Sequence, residues 1–192
     1  MKKITISVLI SLSIILLLLS GCAPYKSDKW DKKDPNMPSA YIEQHEKQLK
    51  DNQEKLDKDP ENFEWQFEKA FQLQALGRYK QAVEEYEKAL KIAPNDFATL
   101  NNLAAIYEEV EEYKKAEEYI KKLYALNPDN TETLRDTVRI LLKADNPLNA
   151  QEALDNFAKT IKRNKAETAE TGAVISELYQ SIYDYNKKNE TK

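Results

Sequence analysis

Residues 94–128 read "PNDFATLNNLAAIYEEVEEYKKAEEYIKKLYALNP". Leu100, Leu103, Ala104 and Tyr107 fall at i, i+3, i+4 and i+7, one face of a helix. Ala116, Ile120 and Leu123 line one face of a second helix. Ala104 and Ala116 are small enough to let the two helices approach closely. Asp96 can cap the first amides of the first helix, and Pro128 closes the unit.

The same pattern recurs on both sides. Pro60, Pro94 and Pro128 stand 34 residues apart, in "DPEN", "APND" and "NPDN". The step of 34 also aligns Ala82, Ala116 and Ala150; Ala70, Ala104 and Val138; Leu73, Tyr107 and Leu141; Tyr86, Ile120 and Leu154; and Ala89, Leu123 and Phe157. Tyr79 and Tyr113 match, with Pro147 third, and Asn130 repeats the capping position of Asp96. A single helix pair cannot bury its own apolar face, so the units must stack. This register of proline, small and aromatic residues resembles the tetratricopeptide repeat (TPR). The expected fold is an all-α, TPR-type helix–turn–helix solenoid of about three repeats over 62–163, plus flanking capping helices.

The outer units depart from the middle one. Gln66 and Lys69 stand where Leu100 and Leu103 stand later, with Trp65, Phe67 and Phe71 placed to compensate slightly out of register. The third unit carries Thr137 inside its stripe. A preceding helix is expected within 40–59, with Ile42, Leu49 and Leu56 as a thin stripe. A C-terminal capping helix is expected over 164–187, and 188–192 is a tail. In that helix Gly172 and Ile175 fall two repeat lengths after Ala104 and Tyr107, as in a worn fourth unit. Val174, Leu178 and Ile182 give it an apolar stripe.

At the other end, "MKK" is followed by an uncharged apolar run and then "SGC". That order is an export signal. The run is also about as long as the shorter spanning helices, ~17–25 residues, so length alone leaves an uncleaved anchor open. Leu19–Cys22, "LSGC", resembles the lipobox of bacterial lipoproteins, and Cys22 is the only cysteine in 192 residues. The resemblance implies a signal peptide over 1–21 and cleavage before Cys22. It further implies a diacylglyceryl group on the Cys22 sulfur and an acyl chain on the new amine. Two chains at about 0.8 kcal/mol per buried CH₂ suffice for stable anchoring. The implied location is extracytoplasmic. With two membranes, Ala23 after the cysteine implies the periplasmic face of the outer membrane; with one, the chain sits on the outer face of the plasma membrane. Residues 22–39, polar and proline-bearing, read as the lipidated cysteine and a flexible tether, in which Trp30 is the odd residue.

Net charge is −4 with both signs interspersed, which argues against nucleic acid. The single histidine, His45, lies on a charged helix and reads as a partly exposed residue beside Leu49. Three glycines, at 21, 77 and 172, form no phosphate loop. The glutamate runs lie three and four residues from lysines, as on a solvated helix face. No catalytic residue, metal ligand or bound cofactor is expected beyond the lipid on Cys22, and the chain reads as a non-enzyme.

The resemblance implies a concave face lined by the first helix of each unit. The groove residues are Phe67 and Phe71 in unit one, Asn101, Asn102, Ala105 and Glu109 in unit two, and Arg135 and Arg139 in unit three. An apolar anchor, backbone-binding amides and a carboxylate-binding fork would suit a peptide or protein partner in the cell envelope. The lysine and asparagine of the family's chaperone-tail clamp are absent from unit one, where Phe67 and Phe71 stand. The alternatives are a self-associating structural lipoprotein without a ligand, or a small-ligand-binding or enzymatic envelope protein.

Overall fold

The structure is a computed structural model that describes residues 29–190. Residues 1–21, read as a signal peptide, Cys22 and the first residues of the expected tether lie outside the described residues, as do the last two of the tail. The described residues form eight helices: α1 Ser39–Leu56, α2 Phe63–Ala75, α3 Tyr79–Ile92, α4 Phe97–Glu109, α5 Tyr113–Leu126, α6 Thr131–Lys143, α7 Pro147–Arg163 and α8 Ala169–Glu190. The fold is the expected all-α solenoid: α2–α3, α4–α5 and α6–α7 are three stacked hairpins, flanked by α1 and α8.

The period of 34 reappears as atoms in contact. Ala82, Ala116 and Ala150 are wholly buried, as are Tyr86, Ile120 and Leu154 below the second helices' surface. Asn62, Asp96 and Asn130 each cap a first helix, accepting from the amides of Trp65 (3.2 Å), Thr99 (2.7 Å) and Thr133 (2.8 Å). Each first helix ends in the same turn. Arg78, Glu112 and Asn146 amides donate back to the carbonyls of Leu73, Tyr107 and Leu141 at 2.9, 2.8 and 2.8 Å. That turn needs a left-handed residue just before the donor. Gly77, Glu111 and Asp145 occupy it with φ of 71°, 61° and 60°.

Ile106 and Ile140 recur at the step of 34 and are both buried, Ile140 within the core of the preceding unit. The first unit has no preceding unit, only α1. There the equivalent residue is Gln72, and Nδ1 of His45 donates to its side-chain oxygen. His45 is therefore buried at the α1–α2 interface, not a partly exposed residue. Asn52 and Leu56 complete that buried face, while Ile42 is exposed.

Unit one keeps its register with polar groups where leucines were replaced. Gln66 and Glu85 are 5% and 8% exposed. Gln66 donates to both the carboxylate (2.5 Å) and the main-chain carbonyl (3.3 Å) of Glu85, and Lys69 reaches Glu85 at 3.0 Å. Of the aromatics expected to compensate, Phe67 packs against Tyr86 and the core while Phe71 stays exposed, and the closed hydrogen-bond cluster of Gln66, Lys69 and Glu85 fills the stripe. In unit three the Thr137 hydroxyl donates to the Thr133 carbonyl one turn back, at 2.7 Å, which satisfies it inside the core.

Residues 29–37, read as flexible tether, lie against the array. The Lys32 amide donates to Gly77 O (2.9 Å) and the Tyr79 amide to Trp30 O (3.0 Å). At the far end α8 buries Val174, Leu178 and Ile182, as its stripe predicts. A side chain at Gly172 would meet nothing within 4 Å, so α8 does not repeat the tight Ala104 position. It caps the last hairpin in a shifted register.

Candidate functional site

The first helices lie side by side and share one outward face. Their contacts are direct: Arg139 and Lys143 on α6 reach Glu108 on α4, Lys143 at 2.8 Å, and Arg135 on α6 reaches Glu177 on α8. The expected groove residues occupy this face, with different fates.

In unit one, Phe67 is half-buried. Its ring packs on Phe63 and on Tyr86, at 6.0 and 5.6 Å between centroids. Phe71, one turn on, is 43% exposed. In unit two, Asn101 and Ala105 are exposed one turn apart. Asn102 turns inward: its amide donates to the Tyr86 hydroxyl (2.9 Å), which donates to Gln74 (2.8 Å). Burial pushes the Tyr86 phenol above its ordinary value, so it remains protonated and able to donate. This chain ties α2, α3 and α4 together under the face. Glu109 stands at the turn edge and pairs with Lys32 at 3.7 Å, away from Asn101.

Unit three differs most from the expected fork. Arg135 and Arg139 do not converge on one empty site. Nη1 of Arg135 donates to both oxygens of Glu177, at 2.7 and 2.6 Å. Arg139 donates to Glu108 and, at 2.6 Å, to Asp136. Burial, with Glu132 nearby, holds the Asp136 carboxyl above its ordinary value. The chain's own carboxylates thus neutralise the cationic end.

Tyr86, Glu108 and Glu177 complete the site, and sequence reasoning did not assign them to it. Tyr86 read as a core residue by its spacing; its phenol being a buried donor was the missed signal. Glu108 neighbours Glu109 in a run of acids, and spacing did not say which of the two faces α6. The partner of Arg135 depends on the shifted register of α8, which the sequence does not announce.

A cleft of about 420 Å³ opens between α1 and the first hairpin, where a small ligand would sit. Four of its charged groups pair with each other, Arg78 with Glu46 and Lys69 with Glu85. Among the described residues no group of three or more His, Cys, Asp or Glu is placed to hold a metal, and no helix is long and apolar enough to cross a membrane.

Residues 63–129 match the tetratricopeptide repeat family. The fold is similar to that of MamA from Desulfovibrio magneticus RS-1, at 16% identity over 75% of this chain and 86% of that one, with a TM-score of 0.53. A MamA double mutant, RS-1 ArsTM, aligns at 16% identity over 77% and 88%, with a TM-score of 0.54. A tetratricopeptide repeat protein from Parabacteroides merdae ATCC 43184 aligns at 18% identity over 78% and 64%, with a TM-score of 0.50. At these identities the likeness is one of fold. No curated protein matches the sequence.

Proposed function

We propose that this chain is a lipid-anchored scaffold outside the cytoplasm, holding a peptide or protein surface of the cell envelope along its first-helix face. A TPR-type solenoid presents a long surface and little enclosed volume, which suits a polypeptide better than a metabolite. The anchoring reading is supported by Leu19–Cys22, with the sole cysteine at the foot of the apolar run. Diacylglycerol and an acyl chain on Cys22 are the only attached groups it requires.

The observation that carries the binding reading is the placement of Phe71, Asn101 and Ala105. An exposed aromatic ring, a solvent-facing amide and a small residue lie on adjacent first helices, over a rigid floor made by Tyr86, Asn102 and Gln74. The ring offers an apolar anchor. The Asn101 amide both donates and accepts, as a peptide backbone requires. Because Arg135 and Arg139 already hold Glu177, Glu108 and Asp136, an acidic tail must displace an internal carboxylate before it binds there. The favoured partner segment is therefore apolar and extended rather than strongly acidic.

The test is crosslinking in intact envelope with the Phe71→Ala/Asn101→Ala double variant. Capture of the partner polypeptide should fall about tenfold, on the scale of a central aromatic contact. Undiminished capture would exclude this face. A solution mass that rises with concentration and is abolished by the same double variant would identify the occupant as a second copy of the chain.

A further inference from the structure

Two glycines of the array have opposite surroundings. At Gly77, residues 29–37 form a strap whose backbone pairs with the α2–α3 turn, and a Cβ there would lie 2.7 Å from the Lys32 carbonyl. At Gly172, on α8, a Cβ would meet nothing within 4 Å. Yet Gly172 stands two repeat lengths after Ala104, where a first helix meets its own second helix. The first helices α2, α4 and α6 each have that second helix; among the described residues α8 has none.

Two apolar stripes therefore run along α8, and only one is covered. Val174, Leu178 and Ile182 are buried. Gly172, Ile175, Ser176, Tyr179 and Tyr183 fall at i, i+3, i+4, i+7 and i+11 and form the other stripe. On it Ile175 is half-buried, Tyr179 is 38% exposed and Tyr183 60%. This stripe makes few polar demands. The Ser176 hydroxyl donates to the Gly172 carbonyl of its own helix (3.0 Å), and the Tyr179 hydroxyl donates to Asp155 on α7 (2.6 Å). It carries no charged residue, and Glu177 turns aside to Arg135.

The order of residues along the stripe indicates what fits it. Gly172 and Ser176 make its first half small, and the two tyrosine rings make its second half large. An antiparallel helix of the same sequence reverses that order. Each copy's Tyr183 then falls over the other's Gly172, and each Tyr179 over the other's Ser176. The charges agree: Glu170 lies in the first turn, and Lys187 and Lys188 in the last, so antiparallel pairing brings opposite signs together at both ends. A parallel pair would set ring against ring and like charge against like. We infer that this stripe binds the same stripe of a second copy, α8 antiparallel to α8. The contact is two-fold and closes at two copies. One helix on another, about 33 Å long and 10 Å wide, covers well under the roughly 800 Å² per partner of a standard interface. The dimer is therefore reversible. It uses neither Phe71 nor Asn101, so it stands apart from the first-helix face.

The test mixes light and heavy isotope-labelled full chains in detergent, each with a photo-reactive phenylalanine in place of Tyr183, then irradiates, digests and reads crosslinks by mass spectrometry. Light–heavy crosslinks from position 183 to the segment around Gly172 are expected. Crosslinks within single chains only, or to other parts of the array, overturn the inference. Sedimentation equilibrium gives an independent check. The open space at Gly172 lets Gly172→Lys fold as the parent does, with the same helical circular dichroism, while its dimerisation should weaken about tenfold. A parent that stays monomeric at every concentration, or a Gly172→Lys variant that dimerises as tightly, contradicts it. Association lost in Phe71→Ala/Asn101→Ala but kept in Gly172→Lys would place the second copy on the first-helix face and overturn the α8 contact alone.

Discussion

Arg135 and Glu177, 42 positions apart, face each other across α6 and α8 with both carboxylate oxygens within 2.7 Å of one guanidinium nitrogen. The pair is half-exposed on both sides, so its net stabilisation is about 0.5 kcal/mol. Glu177→Ala should leave thermal unfolding almost unchanged. It should also free Arg135, so a peptide with a C-terminal carboxylate, titrated by fluorescence anisotropy, should bind the variant several-fold more tightly than the parent. Unaltered binding would place the ligand elsewhere on the array.

Glu85 is the opposite case, a buried carboxylate inside unit one. Burial alone would raise its pKa, but hydrogen bonds from Lys69, Lys88 and Gln66 outweigh burial and hold it below the ordinary 4.5. A depressed folded value means stability that is complete above about pH 4.5 and is lost as pH falls through the folded value. Glu85→Ala strands Lys69 and should cost about 3 kcal/mol at neutral pH. Chemical denaturation at pH 7 and pH 3 checks both: the gap between parent and variant should narrow at pH 3.

The left-handed turn residues make a graded set. Glu111 adopts φ 61° with a side chain present, at a cost of about 1 kcal/mol. Glu111→Gly should raise stability by up to that amount in urea melts. Gly77→Ala should lower it by more than the same amount, because the new methyl strikes the strap backbone as well as the strained φ.

Ala116 is wholly buried where α4 and α5 approach each other. Ala116→Leu should destabilise by about 2 kcal/mol through overpacking. Leu123→Ala, which opens a cavity two turns further along the same face of α5, should cost about 3 kcal/mol. Calorimetry of the two variants would show whether the middle unit is the most tightly packed.

The repeat was legible because its signal is geometric. A period of 34 with small residues at 82, 116 and 150 leaves few ways to pack two helices, and the caps at Asp96 and Asn130 mark where they start. The strap was not legible. Nothing in "KWDKK" has a helical or strand period, and its seat depends on a glycine more than 40 residues away. Unit one was misread for a related reason: Gln66 and Lys69 look like breaks in an apolar stripe until Glu85, on the next helix, supplies their partner. The first-helix face was legible, since Asn101 and Ala105 are exposed as their spacing implies. Its chemistry was legible only in part: Asp136, three residues before Arg139 on the same helix, pairs with it, whereas Glu108 and Glu177 arrive from neighbouring helices.

The central claim is that the first-helix face holds another polypeptide at the membrane. The most direct measurement places a photo-reactive amino acid at Ala105 on that face, and in a second variant at Lys122 on the exposed side of α5, then irradiates intact cells. The account predicts a discrete crosslinked species of higher mass from position 105 and none from position 122. Crosslinks from 122 alone, or equally from both, would contradict it.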